Sequence, residues 1–424
     1  MTSGDEPAAC TDSSSSAPDP VNDSVCLAGF GLSEISEIMS SPASILGLEE
    51  APPRRLFPPI TLSPHRDSAV DVIKGVACLL MVAAHVSFAH APWLDEATMG
   101  AVLFFASTGM NLAGVVERRP GDEKKLAWNA IFLIFAGFAN NYVQGTGWSC
   151  DVFQIAGLSM LAMLGLRRIL PRSWTWLFPL PFLLLFANEH LHWKTTAGGL
   201  ASFFLAPGLF PLIPWLSFYL LGAHLRRYQN IRLGWAIGAA SLAGVGMIWL
   251  FRPFRFDKWW MSPDYFLLGC VAASWWWASL RRWLTASWSA RLIEIRFWGA
   301  NSLVFYILHN FVLRVLEMAM LQGIALFLLT TAITAVLLRP SLMLQAWAGR
   351  QRPAMVLYTG ILVSAAVLMF NADIWPGSFP LRTLASFGLT FSFIACYPAW
   401  KNFSRPSKPQ PQFLTLQLSG KAQA

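Results

Sequence analysis

The sequence predicts an all-α protein: a polytopic integral membrane bundle of about twelve transmembrane helices behind a disordered N-terminal tail. Three observations carry that prediction. The 424-residue chain is 55% hydrophobic and 13% charged, about half the charge of a soluble domain, and its mean hydropathy is positive. It holds 20 Trp and 31 Phe, residues enriched in membrane proteins and at their interfaces. From Val70 onward, apolar stretches follow one another closely, with basic residues in alternate connections.

Residues 1–64 are rich in Ser, Pro and acids. They bury too little apolar surface to offset chain entropy and are expected to be a disordered cytoplasmic tail. Within it, Ile35, Ile38 and Met39 give Phe30–Leu48 one weak apolar face, better read as a loosely structured linker. The first 60 residues lack an apolar h-region, so no cleavable signal peptide is expected. Residues 65–400 form the expected membrane domain, and 401–424 a second cytoplasmic tail.

A membrane helix needs about 20 predominantly apolar residues. Twelve stretches qualify: 69–88, 97–116, 126–144, 152–166, 173–190, 203–225, 231–251, 264–280, 297–319, 322–338, 354–372 and 380–400. The stretches 152–166 and 264–280 are short for the task. Basic residues follow the even-numbered spans, among them Arg118, Arg119, Lys124 and Lys125 after the second and Arg226, Arg227 and Arg232 after the sixth. The positive-inside rule then puts both termini in the cytoplasm and the end of span one outside, as in a bacterial inner membrane protein. One loop breaks the alternation, Arg252-Pro-Phe-Arg-Phe-Asp-Lys-Trp-Trp260; its aromatics read as interfacial belt residues, or its three bases meet an anionic acceptor or lipid headgroups.

The formal charge of +8 does not indicate nucleic acid, because the bases sit in short runs between apolar spans and form no single patch. The six cysteines show no CxxC or Cys/His spacing, so they read as small buried hydrophobes, and no metal is expected.

Polar groups inside apolar spans are costly and are functional candidates. Span one opens with Asp71, Lys74 and Gly75 and closes on His85, with His90, Trp93, Asp95 and Glu96 just beyond. Asp71 and Lys74 share a helix face, where an ion pair fixing helix orientation is the simplest role. They lie roughly 15–20 Å from His85 and cannot touch it. Histidine accepts protons near neutral pH, so His85 and His90 are the candidate general bases, with Asp95 or Glu96 as orienting carboxylates. Asn111 in span two, Asn140 and Asn141 in span three and Gln154 in span four are amides that either tie helices together or line a polar cavity. Pro211 and Pro214 flank the approach to Trp215 and predict a kinked or interrupted helix. Ser302, Tyr306 and His309 recur at four and three residues, so one helix face carries a hydroxyl, a phenol and an imidazole.

Taken in order, Asp71-x-x-Lys-Gly75 with His85 downstream, Asp151-Val-Phe-Gln-Ile-Ala-Gly157, Phe210-Pro-Leu-Ile-Pro-Trp215 before Leu221-Gly222, and Asn301-Ser-Leu-Val-Phe-Tyr-Ile-Leu-His309 resemble the transmembrane acyltransferase superfamily. The pattern is most similar to the catalytic domain of heparan-alpha-glucosaminide N-acetyltransferase and its bacterial relatives, over residues 66–320. His90-Ala-Pro-Trp93 resembles the catalytic-histidine segment of the lysosomal enzyme, whereas the wider superfamily more often has histidine where His85 stands. Lys74 stands where Arg is commoner, and residues beyond about 320 carry no motif of the family. The resemblance implies transfer of an acyl group, usually acetyl from acetyl-CoA, to a sugar or glycan acceptor across a lipid bilayer. On that reading His85 and His90 are catalytic. Asp71, Lys74, Asn111, Gln154, Trp215, Ser302, Tyr306 and His309 bind donor or substrate, and oligomerisation stays open. The alternatives are a polysaccharide or glucan O-acyltransferase of the same superfamily and a secondary transporter or flippase, for which twelve spans and a broken helix are also suited.

Overall fold

The computed structural model describes residues 60, 62, 66–86, 99–118, 121–144, 149–184, 203–205, 210–259, 261–348, 352–369 and 379–402. They belong to one compact unit, Pro59–Ala424. The two tails, the Phe30–Leu48 segment, His90, Trp93, Asp95 and Glu96 lie outside the described residues.

The described residues form helices and no strand. In chain order these are α1 (Ser68–His85), α2 (Gly100–Arg118), α3 (Glu123–Gln144), α4 (Val152–Ile169), a short 3-10 turn (Trp174–Leu177), α5 (Leu212–Tyr228), α6 (Ile231–Phe251), α7 (Pro263–Trp283), α8 (Ala286–Arg291), α9 (Ile293–Ala300), α10 (Ser302–Met318), α11 (Gly323–Ala348), α12 (Arg352–Met369) and α13 (Phe379–Asn402). Five of them, α1, α2, α4, α6 and α11, are long and apolar enough to cross a membrane, and α9 with α10 makes a sixth if that bent pair counts as one span. Helices α3, α7, α12 and α13 reach 18 residues or more but are not in this apolar set. Charge and polarity explain two of them: α3 opens on Glu123-Lys-Lys125, and α7 carries Trp275-Trp-Trp277 and ends on Arg281-Arg282.

Several expected spans change shape: 173–190 opens on the 3-10 turn Trp174–Leu177, and the helix in 203–225 starts only at Leu212. The stretch 297–319 is two helices meeting at 90°. The break falls at Asn301, whose side-chain amide turns back to the Phe297 carbonyl at 2.9 Å. The stretch 322–338 extends to a 26-residue helix that runs through Pro340 to Ala348. Beside that proline, Arg339 forms an ion pair with Glu294.

Helix α1 is the axis of the site-bearing half. It packs against α2, α9, α10 and α7, while α2 lies along α5, and α3 along α4, α12 and α13. Small residues make these approaches possible. A Cβ at Gly75 would run into the Ile295 carbonyl, and one at Gly299 into the Asp71 carbonyl, so α1 and α9 touch backbone to backbone. A Cβ at Gly109 or Gly222 would meet the carbonyls of Tyr219 and Ala106 in the same way between α2 and α5. The core is aromatic: Phe105 stands edge-on to Phe210 and Trp215 at 5.4 and 5.3 Å and stacks on Tyr219 at 5.1 Å. Helix α6, by contrast, buries only Gly234, Gly238, Ser241 and Val245, packs Trp235 and Ile237 partly against the core, and leaves much of its other surface exposed.

Candidate functional site

Apart from other buried polar residues such as His224 and Asp264, two groups of polar side chains stand at the ends of α1. At its start, Asp67 caps the helix, its Oδ1 accepting from the backbone N–H groups of Ala69 and Val70 at 3.1 and 3.4 Å. Its other oxygen takes both Arg226, from the end of α5, and Arg281, from the end of α7. Asp71, one turn on, is buried and receives a two-pronged bond from Arg66, Nε to Oδ2 at 3.0 Å and Nη2 to Oδ1 at 2.7 Å. This fork pattern is the strong form of the Arg–carboxylate contact, and it raises the pKa of the Arg66 guanidinium. Helix spacing points to Lys74 beside Asp71, and the structure adds Arg66 as a partner. That residue precedes the helix, where a helical period does not apply. Lys74 sits 5.6 Å from the centre of the Phe104 ring, a cation–π distance.

These groups line a cavity of about 370 Å³. Lys74, Arg66 and Arg226 supply positive charge, and Asn111, Asn129 and Gln345 supply amides, against an apolar wall from α2, α3 and α4. Asp71, Lys74, Asn111 and Ser302, all expected to serve binding, are thus brought together here.

At the far end of α1, His85 is exposed and meets the fully buried His309 of α10. His309 Nε2 lies 3.1 Å from His85 Nδ1, and the ring centres are 5.2 Å apart. The other ring nitrogen of His309 faces the Phe305 carbonyl at 3.3 Å. One turn back on α10, the buried Tyr306 donates its hydroxyl to Asp151 Oδ1 at 2.8 Å. Asp151 precedes α4 and is held by a reciprocal capping arrangement with Gln154, whose Oε1 accepts from the Asp151 backbone N–H at 3.0 Å. Asn140 of α3 donates to the second Asp151 oxygen at 2.7 Å. A buried carboxylate with donors on both oxygens is satisfied, so this cluster fixes α3, α4 and α10 against one another.

The sequence-derived residues therefore divide. His85, His309 and Tyr306 share one end; Asp71, Lys74, Asn111 and Ser302 share the cavity. Gln154 serves the Asp151 cap, and Trp215 is buried in the aromatic core between Phe105 and Phe210. His85, His309 and Tyr306 are not among the lining residues of the cavity. Ser302 and His309 stand on one helix seven positions apart, about 10 Å along its axis. The orienting partner seen beside His85 is His309, which spacing alone did not pair with it.

Asp67, Asp151, Arg66 and Arg226 are among the residues that sequence reasoning left out of the site. Asp151 carried a readable signal, an acid with Gln three residues later directly before an apolar helix. Arg66 and Arg226 carried only the signal of loop bases. Among the described residues no group of three or more His, Cys, Asp or Glu is placed to hold a metal ion. Comparison of the chain with family models, with curated proteins and with solved structures returned no match.

Proposed function

We propose that this protein is a membrane-embedded acyltransferase that moves an acetyl or other acyl group from cytoplasmic acyl-CoA to an amino or hydroxyl group of an extracytoplasmic sugar or glycan. The observation that carries the reading is the polarity of α1 and α10: a cavity lined by Lys74, by Arg66 and Arg226 with their partner carboxylates Asp71 and Asp67, and by amides at one end, and an imidazole pair at the other. An anionic donor carrying a long flexible arm suits that division. Arg66, Lys74 and Arg226 meet the phosphates of the donor, and the thioester is carried toward His85. His85 removes the acceptor proton as the acceptor attacks the thioester carbonyl. The sequence resemblance and the basic loops support the same orientation, with both termini and the cavity facing the cytoplasm.

The test is incubation of the purified, detergent-solubilised protein with radiolabelled acetyl-CoA, with and without glucosamine. Wild type should transfer label, and His85→Ala should lose at least a hundredfold of the rate, within the usual worth of a general base. Equal rates in the two proteins would remove His85 from the mechanism. His90→Ala belongs in the same series, because the resemblance also points to that histidine.

A second reading has its own observation. The 90° break between α9 and α10 borders the cavity, since Ala300, Asn301 and Ser302 all line it, and broken helices at a central cavity are typical of transporters. Uptake of a solute into proteoliposomes without any release of CoA would favour that alternative.

A further inference from the structure

We infer that His309 is a positioning residue which holds His85 in the tautomer that carries its proton on Nδ1 and its lone pair on Nε2. The inference rests on the acyltransferase reading for its consequence, and on the hydrogen bonds alone for its geometry. A carbonyl oxygen only accepts, so the 3.3 Å contact of His309 Nδ1 with the Phe305 carbonyl puts a proton on that nitrogen. In a neutral ring the remaining nitrogen, Nε2, is then an acceptor. It lies 3.1 Å from His85 Nδ1, which must be the donor. The lone pair of His85 is thereby assigned to Nε2, the nitrogen turned away from His309. Which ring nitrogen is protonated is set by the bond the other one makes. Here a second histidine supplies the acceptor that a carboxylate supplies in a Ser-His-Asp arrangement.

The surroundings favour the assignment. His309 is completely buried, and its ring is bracketed by Phe305 and Tyr306, with centres 6.1 and 5.4 Å away. Tyr306 is itself fixed by Asp151, so the imidazole has little room to turn. His85 stands on the last turn of α1 and is exposed, so it is the member of the pair that an incoming acceptor reaches.

In the reaction the acceptor X–H bond breaks and its proton passes to His85 Nε2. The X–C bond forms at the thioester carbonyl, and the C–S bond breaks. The proton then moves from His85 to the departing CoA thiolate, so the thiol leaves and the histidine pair returns to its starting state. While His85 is an imidazolium, its Nδ1–H bond to His309 Nε2 becomes charge-assisted and stronger. His309 therefore acts on the barrier and not on donor affinity.

Two readouts test this. The first is the ring 15N spectrum of the full-length protein labelled at its seven histidines, with the His85 signals assigned by comparison with His85→Gln. Wild type should show His85 protonated at Nδ1. His309→Ala and His309→Phe, the second keeping a ring in the space, should move the proton to Nε2. His309→Gln, whose side-chain oxygen still accepts, should keep the wild-type pattern. The second readout is kinetic. His309→Ala should lower kcat at least tenfold with KM for acetyl-CoA unchanged, His309→Gln should recover most of the loss, and added imidazole should restore part of it in His309→Ala. A His85 tautomer indifferent to His309→Ala and His309→Phe overturns the inference. So does a fall in kcat that glutamine does not repair and that comes with a matching rise in KM, since that is the signature of a purely structural role. Absence of acyl transfer in wild type would overturn the acyltransferase reading, and the nitrogen spectrum would still decide the pairing.

Discussion

Asp151 and Asp67 show how single carboxylates organise opposite ends of the bundle. Asp151 accepts from Tyr306, Asn140 and the Val152 backbone, so every donor it loses leaves a buried charge under-satisfied. Tyr306→Phe removes one of these donors at nearly constant volume. It should cost about 1.5–3 kcal/mol, the worth of a hydrogen bond to a charged group, read as a lowered thermal midpoint in detergent; an unchanged midpoint would show that the Asp151 cluster does not hold the fold. Asp67 combines a helix cap with two arginine contacts. Asparagine keeps the cap and loses the charge, whereas alanine loses both. Asp67→Ala should therefore be less stable than Asp67→Asn by about 1 kcal/mol, the typical worth of a cap. If the two variants melt together, the capping bonds contribute nothing at that end.

Helix contacts depend on where backbones come together, and here the glycines sort into two kinds. At Gly109 and Gly222 an added methyl would overlap a carbonyl of the facing helix, and backbone cannot step aside. Gly165 and Gly246 have nothing within 4 Å of such a methyl. Alanine at Gly222 should abolish the monodisperse peak on size-exclusion chromatography, while alanine at Gly246 should leave it unchanged or sharpen it, because Gly in a helix interior costs about 1 kcal/mol against alanine. Comparable profiles for both variants would contradict the close α2–α5 approach. The sequence was informative at this scale about helix faces. Ser302, Tyr306 and His309 were expected on one side of a helix, and that follows from a period of 3.6 alone. Which helix they meet was not legible, because His85 and His309 are 224 positions apart and no local pattern encodes that distance. The bend at Asn301 was hidden for another reason: the stretch 297–319 is apolar enough overall to read as one span, and the Asn301 side-chain bond to the Phe297 carbonyl at the break is not a hydropathy signal. The kink before Trp215 was legible, since proline marks it directly, and Ile213 does leave helical geometry there.

For the whole molecule, charge placement makes the sharpest prediction. The expected topology puts Lys124 on the inner side and Arg255 on the outer side, so cysteines placed at these two positions should react with a membrane-impermeant maleimide from opposite faces of intact cells. Cys78, Cys150, Cys270 and Cys396 are buried and should remain silent; Cys10 and Cys26 would first be changed to serine. Labelling of both positions from the same side would break the alternation on which the expected topology rests. Membrane character was legible from composition, and an all-helical fold with several apolar helices of spanning length is what the structure contains. The number of crossings was less legible, because hydropathy counts apolar stretches and does not see which of them lie against lipid and which bend back into the protein.

The lengths of α1 and α6 have a consequence for how deep the chemistry sits. Both helices begin at the same end of the bundle, where Asp67 before α1 holds Arg226 close to the start of α6. The 21 residues of α6 rise about 31 Å, close to the roughly 30 Å of a hydrocarbon layer, and its outward-facing side chains make it a ruler for the lipid around it. The 18 residues of α1 rise about 27 Å, about two residues short of that mark. With both helices upright in a bilayer, His85 would be set slightly below the rim, as if at the bottom of a shallow well. On the proposed acyltransferase reading, a bulky polymer would have to lower one free end or one unhindered hydroxyl or amine into that depression, so chain ends and small monomers would be modified in preference to the middle of a long glycan.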